Sequence, residues 1–150
     1  MPVDQVHAML TRVTDVARGV GLEYNYDAVH QTNTIKAHEL MHFAKEHGKQ
    51  AQMKERLLSA YFVEGKHVGR IEDLADLAQD VGLDRAVALE ALANNHYLTD
   101  VKADVAQAET YGISGVPFYV IDGKYGVSGA QDPETFKNVL EQARDERHTP

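Results

Sequence analysis

The chain has 150 residues, enough for one domain with a sizeable core, and its 43% hydrophobic and 25% charged residues are ordinary for a soluble globular protein. A net charge of −8 argues against a nucleic-acid partner and against an anionic membrane surface. With 0 cysteines the sequence offers no disulfide, no thiolate catalyst and no cysteine metal site.

No apolar run approaches the roughly 20 residues of a membrane span, so no membrane partner is expected. The start, Met-Pro-Val-Asp-Gln-Val-His, lacks the basic and apolar regions of a signal peptide, and a cytoplasmic location is expected. Val3, Val6, Leu10, Val13, Val16, Ala17 and Val20 recur at three- and four-residue spacing, which predicts an amphipathic, core-facing helix. Gly19 and Gly21 stop it, and Leu22, Tyr24 and Tyr26 alternate with polar residues as a short extended stretch.

Asn33-Thr34 supplies an N-cap for a helix over Thr34–His47 that is closed by Gly48 and buries Ile35, Leu40, Phe43 and Ala44, with Met41 in part. Helices are predicted next over Gln50–Glu64 (Met53, Leu57, Leu58, Tyr61, Phe62) and Ile71–Val81 (Leu74, Ala75, Leu77, Ala78). Asp84 caps a further helix to about Asn94 with Ala86, Val87, Leu89 and Leu92 inside, and Leu98–Tyr111 is the last helix of this block. Asp132-Pro133-Glu134 opens a C-terminal helix with Phe136, Val139, Leu140 and Ala143 as its stripe, and the charged tail 144–150 is expected to fray.

The one convincing β-hairpin lies before that helix. Val116–Ile121 is apolar, β-branched and aromatic, Asp122-Gly123 is a strong turn signal, and Tyr125–Ser128 reads as the returning strand. Pro117 donates no ladder hydrogen bond, so the strand is an edge there or carries a special geometry. One such geometry is a cis Val116–Pro117 bond, which leaves backbone groups of Val116 free to bind.

Gly112-Ile-Ser-Gly-Val-Pro-Phe-Tyr-Val-Ile121 followed by Gly126-Val-Ser-Gly-Ala-Gln131 and Pro133-Glu-Thr-Phe136 resembles the cis-proline segment of DsbA-like thioredoxin-fold proteins, and is most similar to their FrnE-type branch. Asn33-Thr34 with Ala37-His38 and Leu40, Ala60-Tyr-Phe with Glu64-Gly65, and Leu74–Asp84 are similar to further family stretches, so the likeness runs from about residue 3 to residue 143. The resemblance implies an α/β, mostly α fold: a thioredoxin-like remnant with a β-hairpin, made of residues 1–33 and 112–150, and a helical insertion over 34–111. The opening strand, CxxC helix and second strand of the family have no counterpart in the sequence, so the resemblance implies a family member without its N-terminal portion.

By this resemblance Pro117 is the cis-proline and Val116 its neighbour, and together they bind an extended peptide or thiol substrate by strand addition. Thiol exchange needs a thiolate that attacks a disulfide, so no catalytic residue is assigned and no cofactor is implied. The function implied is that of a dithiol–disulfide oxidoreductase or isomerase family member, catalytically incomplete in this chain. The alternative is a cysteine-free binding or assembly module that uses the same surface. Glutathione-dependent relatives, the hydroxychromene carboxylate isomerases and kappa-class transferases, also use a Val-Pro loop, but Ser128–Gln131 is more similar to the FrnE-type branch. A sheet stripped of two strands exposes an edge and a face, so a homodimer or higher oligomer is expected.

His38-Glu39-Leu40-Met41-His42 spells H-E-x-x-H, in which histidines at i and i+4 share a helix face and could hold zinc with Glu39 as general base of a hydrolase. The extension H-x-x-G-x-x-H fails, since Lys45 and Gly48 stand where Gly and His should be, and only an unflagged Glu64 or Glu72 remains as a third ligand. No metal site is therefore expected. His7, His30, His47, His67, His96 and His148 are scattered in polar contexts and read as solvated surface.

Overall fold

Residues 2–147 are described by this computed structural model, and they run α1 (Val3–Gly19), a 3₁₀ turn (Tyr26–Ala28), α2 (Ile35–Glu46), α3 (Gln50–Phe62), α4 (Ile71–Asp80), α5 (Arg85–Ala93), α6 (Leu98–Thr110), β1 (Phe118–Ile121), β2 (Tyr125–Ser128) and α7 (Pro133–Arg147). The chain divides into two units between Ala103 and Asp104, within α6.

The core of the first unit is made by α2 to α5. Leu40, Phe43 and Ala44 of α2 meet Met53, Leu57 and Ala60 of α3, Leu74, Leu77 and Ala78 of α4, and Ala88 and Leu92 of α5, all buried. These are the three- and four-residue repeats of the sequence, and alanines among the leucines let the helices approach closely. Asp84 accepts from the N–H groups of Ala86 (2.8 Å) and Val87 (3.0 Å) and starts α5. At α2 the side chain of Asn33, not Thr34, accepts from the Ile35 N–H at 2.9 Å.

Two lysines cap helix ends from neighbouring elements. Lys49 Nζ donates to the carbonyls of Val81 (2.7 Å) and Gly82 (3.1 Å) at the end of α4. Lys36 Nζ donates to the Leu92 carbonyl (2.5 Å) and to Asn95 Oδ1 (2.8 Å) at the end of α5. Both place a positive charge where the helix dipole is negative and the last carbonyls lack partners. Lys36 Nζ also lies 2.9 Å from Oε1 of Glu39, whose side chain is fully buried. That contact is an ion pair without the alignment of a hydrogen bond, because neither Glu39 oxygen has a hydrogen-bond partner among the described residues.

Several expectations are corrected. The apolar stripe of α1 is not core-facing: only Ala17 is buried, while Val3, Val16 and Val20 are 70%, 65% and 73% exposed. The four-helix core closes without it. Leu22–Tyr26 is no strand. The Asn25 N–H bonds to the Phe62 carbonyl at 2.7 Å at the end of α3, and Tyr24 stacks on Phe62 with ring centroids 4.9 Å apart. Ile35, Leu58, Val87 and Leu140, expected inside, are exposed. Helix α7 runs through Arg144 to Arg147, where fraying was expected, and the rest of that tail lies outside the described residues.

In the second unit β1 and β2 form an antiparallel pair in the register Phe118↔Ser128 to Ile121↔Tyr125. Asp122 and Gly123 both take positive φ (57° and 63°), and the Lys124 N–H bonds to the Ile121 carbonyl at 3.1 Å. Helix α7 packs on the hairpin: Tyr119 meets Phe136 edge-on with centroids 4.8 Å apart, and Val127 and Ala143 are buried.

Candidate functional site

The site begins where α6 stops. Gly112 takes a left-handed conformation, and the Ile113 N–H bonds to the Ala108 carbonyl at 3.0 Å, which ends the helix and releases residues 113–117 as a loop. The Val116–Pro117 peptide bond is cis, and Val116 is 90% exposed. Among the described residues no hydrogen bond reaches the N–H or the carbonyl of Val116.

A second stretch fixes the first. Gly129 has a φ of +84°, a conformation that only glycine adopts cheaply, and its N–H bonds to the Pro117 carbonyl at 2.8 Å. Gln131 Nε2 donates to the Ser128 carbonyl at 2.7 Å and holds this bend. Asp132 then accepts from the Glu134 N–H at 2.9 Å and starts α7. The Gly-Val-Pro and Ser-Gly-Ala-Gln segments thus form one hydrogen-bonded mouth at the open end of the hairpin. Both segments are visible in the sequence, but the bond between them depends on a backbone angle that no periodicity shows.

The closed end is held by charge. Arg147 pairs with Asp122 and depresses its carboxyl, while Lys124 and Tyr125 both bond to Glu146 and depress that carboxyl. In return Glu146 raises the Tyr125 hydroxyl above its ordinary range. These groups stand on the surface and orient the tip against α7.

The H-E-x-x-H stretch is not arranged for hydrolysis. On α2 His38 is exposed and His42 half-buried, but Glu39 points into the core against Lys36 and faces no solvent. Among the described residues no group of three or more His, Asp or Glu side chains is placed to hold a metal ion. Neither is any helix there long and apolar enough to cross a membrane.

One arrangement escaped the sequence reading. His30 and His67, 37 residues apart in the chain, lie with ring centroids 6.0 Å apart beside a cavity near Arg70. The signal that could have found it is the pair Gly65 and Gly69 around His67, which lets two loops touch.

The sequence matches the DSBA-like thioredoxin domain family over residues 2–141. It is 32% identical over 132 residues to "Uncharacterized protein YwbO" of Bacillus subtilis (strain 168), a match that covers 87% of this chain and 66% of that protein. Its structure is similar to that of the probable DsbA oxidoreductase SCO1869 from Streptomyces coelicolor, with a TM-score of 0.89, 34% identity, and coverage of 100% of this chain and 64% of the other. The chain spans about two thirds of the length of either relative.

Proposed function

Because the chain belongs to the DSBA-like thioredoxin domain family, we propose that its 150 residues form the substrate-side wall of a dithiol–disulfide oxidoreductase or isomerase of the FrnE type. In this reading residues 34–111 are a helical insertion between thioredoxin-like portions at 1–33 and 112–150. Val116 and Pro117 hold an extended peptide or thiol substrate by main-chain pairing. The thiolate that attacks the disulfide comes from outside these residues, since they contain 0 cysteines. The observation that carries the reading is the mouth of the hairpin: an exposed Val116 with unbonded backbone groups, held in place by the Gly129–Pro117 hydrogen bond.

The test is fluorescence anisotropy with a fluorescein-labelled extended peptide. Val116→Asp puts a carboxylate where peptide carbonyls must dock and, at 90% exposure, leaves folding unchanged. Binding is expected to weaken about tenfold or more, on the scale of a central contact residue. Equal binding by wild type and variant removes the site from this loop.

The absence of cysteine supports a second reading, a binding or assembly module on the same surface. In that case peptide binding is seen while insulin reduction by dithiothreitol runs no faster with the protein than without it. A homodimer or higher oligomer belongs to both readings and is supported by the exposed Val3, Val16 and Val20 of α1. A light-scattering mass of one chain would count against it.

A further inference from the structure

We propose that the cavity between the 28–33 segment and the loop that leads into α4 binds a small amphoteric molecule with a carboxylate and an ammonium group, of the α-amino acid class. The cavity measures about 300 Å³ and is lined by His30, Lys66, His67, Arg70, Asp73 and Asp76. Its volume is at the lower end of the range for ligand sites.

The walls are brought together by missing side chains. A Cβ at Gly65 would lie 2.6 Å from the Ala28 Cβ and 2.7 Å from the Ala28 carbonyl oxygen, and one at Gly69 would lie 2.2 Å from Thr32 Oγ1. Glycine at 65 lets its backbone lie against that of Ala28, glycine at 69 leaves room for the Thr32 side chain, and His30 lies against His67 at 6.0 Å. The Gly69 N–H donates to His67 Nδ1 at 3.1 Å, so in the neutral imidazole the proton is on Nε2 and that nitrogen is a donor.

The charges that face the cavity are of both signs, and they divide into paired and unpaired groups. Asp76 is paired with Arg85 at 2.6 Å, and Lys66 with Glu64 at 3.1 Å. The Arg70 and Asp73 side chains have no ion pair or hydrogen bond among the described residues, not even with each other. Arg70 is exposed and Asp73 half-buried, so a guanidinium and a carboxylate stand open to solvent on one cavity, and a ligand that carries the opposite charges can pair with both. A plain anion would meet Asp73, and a plain cation would meet Arg70. A molecule with both groups satisfies each, with the His67 Nε2–H as a further donor to its carboxylate.

The test uses the full chain at neutral pH, with L-alanine as probe and propionate and ethylammonium as its two halves. Binding is read by calorimetry and by ¹⁵N–¹H chemical-shift changes. L-Alanine is expected to shift amides of residues 65–73, and each half to bind at least about tenfold more weakly, the scale of one charged hydrogen bond lost. Arg70→Gln and Asp73→Asn should each weaken L-alanine about tenfold while circular dichroism stays unchanged. Four results would overturn the proposal: no binding of L-alanine, shifts confined elsewhere, affinity unmoved in both variants, or propionate binding as tightly as L-alanine.

Discussion

The replacement Lys36→Met tests the charge arrangement inside the helical core. The Glu39 side chain has 0% exposure and its one compensating charge among the described residues is the Lys36 ammonium, itself 22% exposed. Breaking a buried pair by removal of one partner costs about 3–5 kcal/mol, because a carboxylate is left without compensation in a poorly polarisable interior. The same ammonium also caps α5 through Leu92 and Asn95, so a cost no lower than the middle of that range, about 4 kcal/mol, is expected. With a urea m-value of about 2 kcal/mol/M, the midpoint falls by about 2 M. Far-ultraviolet circular dichroism against urea measures it. The double variant Lys36→Met/Glu39→Leu removes the stranded charge and should recover at least half of the loss, as apolar replacements of buried pairs do. A single variant that costs less than about 1 kcal/mol, or a double variant no more stable than the single, would show that Lys36 does not offset the buried Glu39 charge.

Two further predictions concern the loop after α3. Arg56 holds the Glu64 carboxyl down to about 2 from its ordinary 4.5. The folded value is depressed, so the unfolded chain takes up the proton first as pH falls. The stabilisation is whole above pH 4.5 and is lost toward pH 2. Glu64 is 35% exposed, so solvent screening reduces the contribution to about 1 kcal/mol. Glu64→Gln should flatten the acid limb of stability by that amount, and urea midpoints between pH 5 and pH 2.5 that run parallel to wild type would contradict it. Gly65→Ala forces a Cβ to 2.7 Å from the Ala28 carbonyl oxygen at a φ of +64° and should cost about 3 kcal/mol. Gly123→Ala, at φ +63° with nothing within 4 Å, should cost only about 1 kcal/mol. Equal thermal shifts in the two alanine variants would show that close approach to Ala28 adds nothing.

The sequence shows the local devices best. Asp84 and Asp132 cap the helices that follow them, Asp122-Gly123 turns the hairpin, and the leucine and alanine repeats of α2 to α5 are the core. Each of these is set by neighbours within a few residues. The failures are tertiary. The repeat in α1 is regular, yet periodicity states only that a face is apolar, not that this unit has anything to cover it. Leu22–Tyr26 has strand chemistry, but its amide partner is the end of α3 and not a strand. At the candidate site the segments Gly-Val-Pro and Ser-Gly-Ala-Gln are legible from the resemblance, while the bond between Gly129 and Pro117 is not. His30 and His67 meet through two glycines, an approach that no spacing rule encodes.

The hairpin is fastened at both ends, by Gly129 to Pro117 at the mouth and by Lys124 to Ile121 at the tip. That restricts how its length can vary. One residue added to or lost from either strand would turn Tyr119 or Val127 away from α7 and break one of the two fastenings. Insertions in this segment should therefore survive only as matched pairs, one residue per strand repeated twice, whereas the loop at 113–116 can change length singly without moving the sheet.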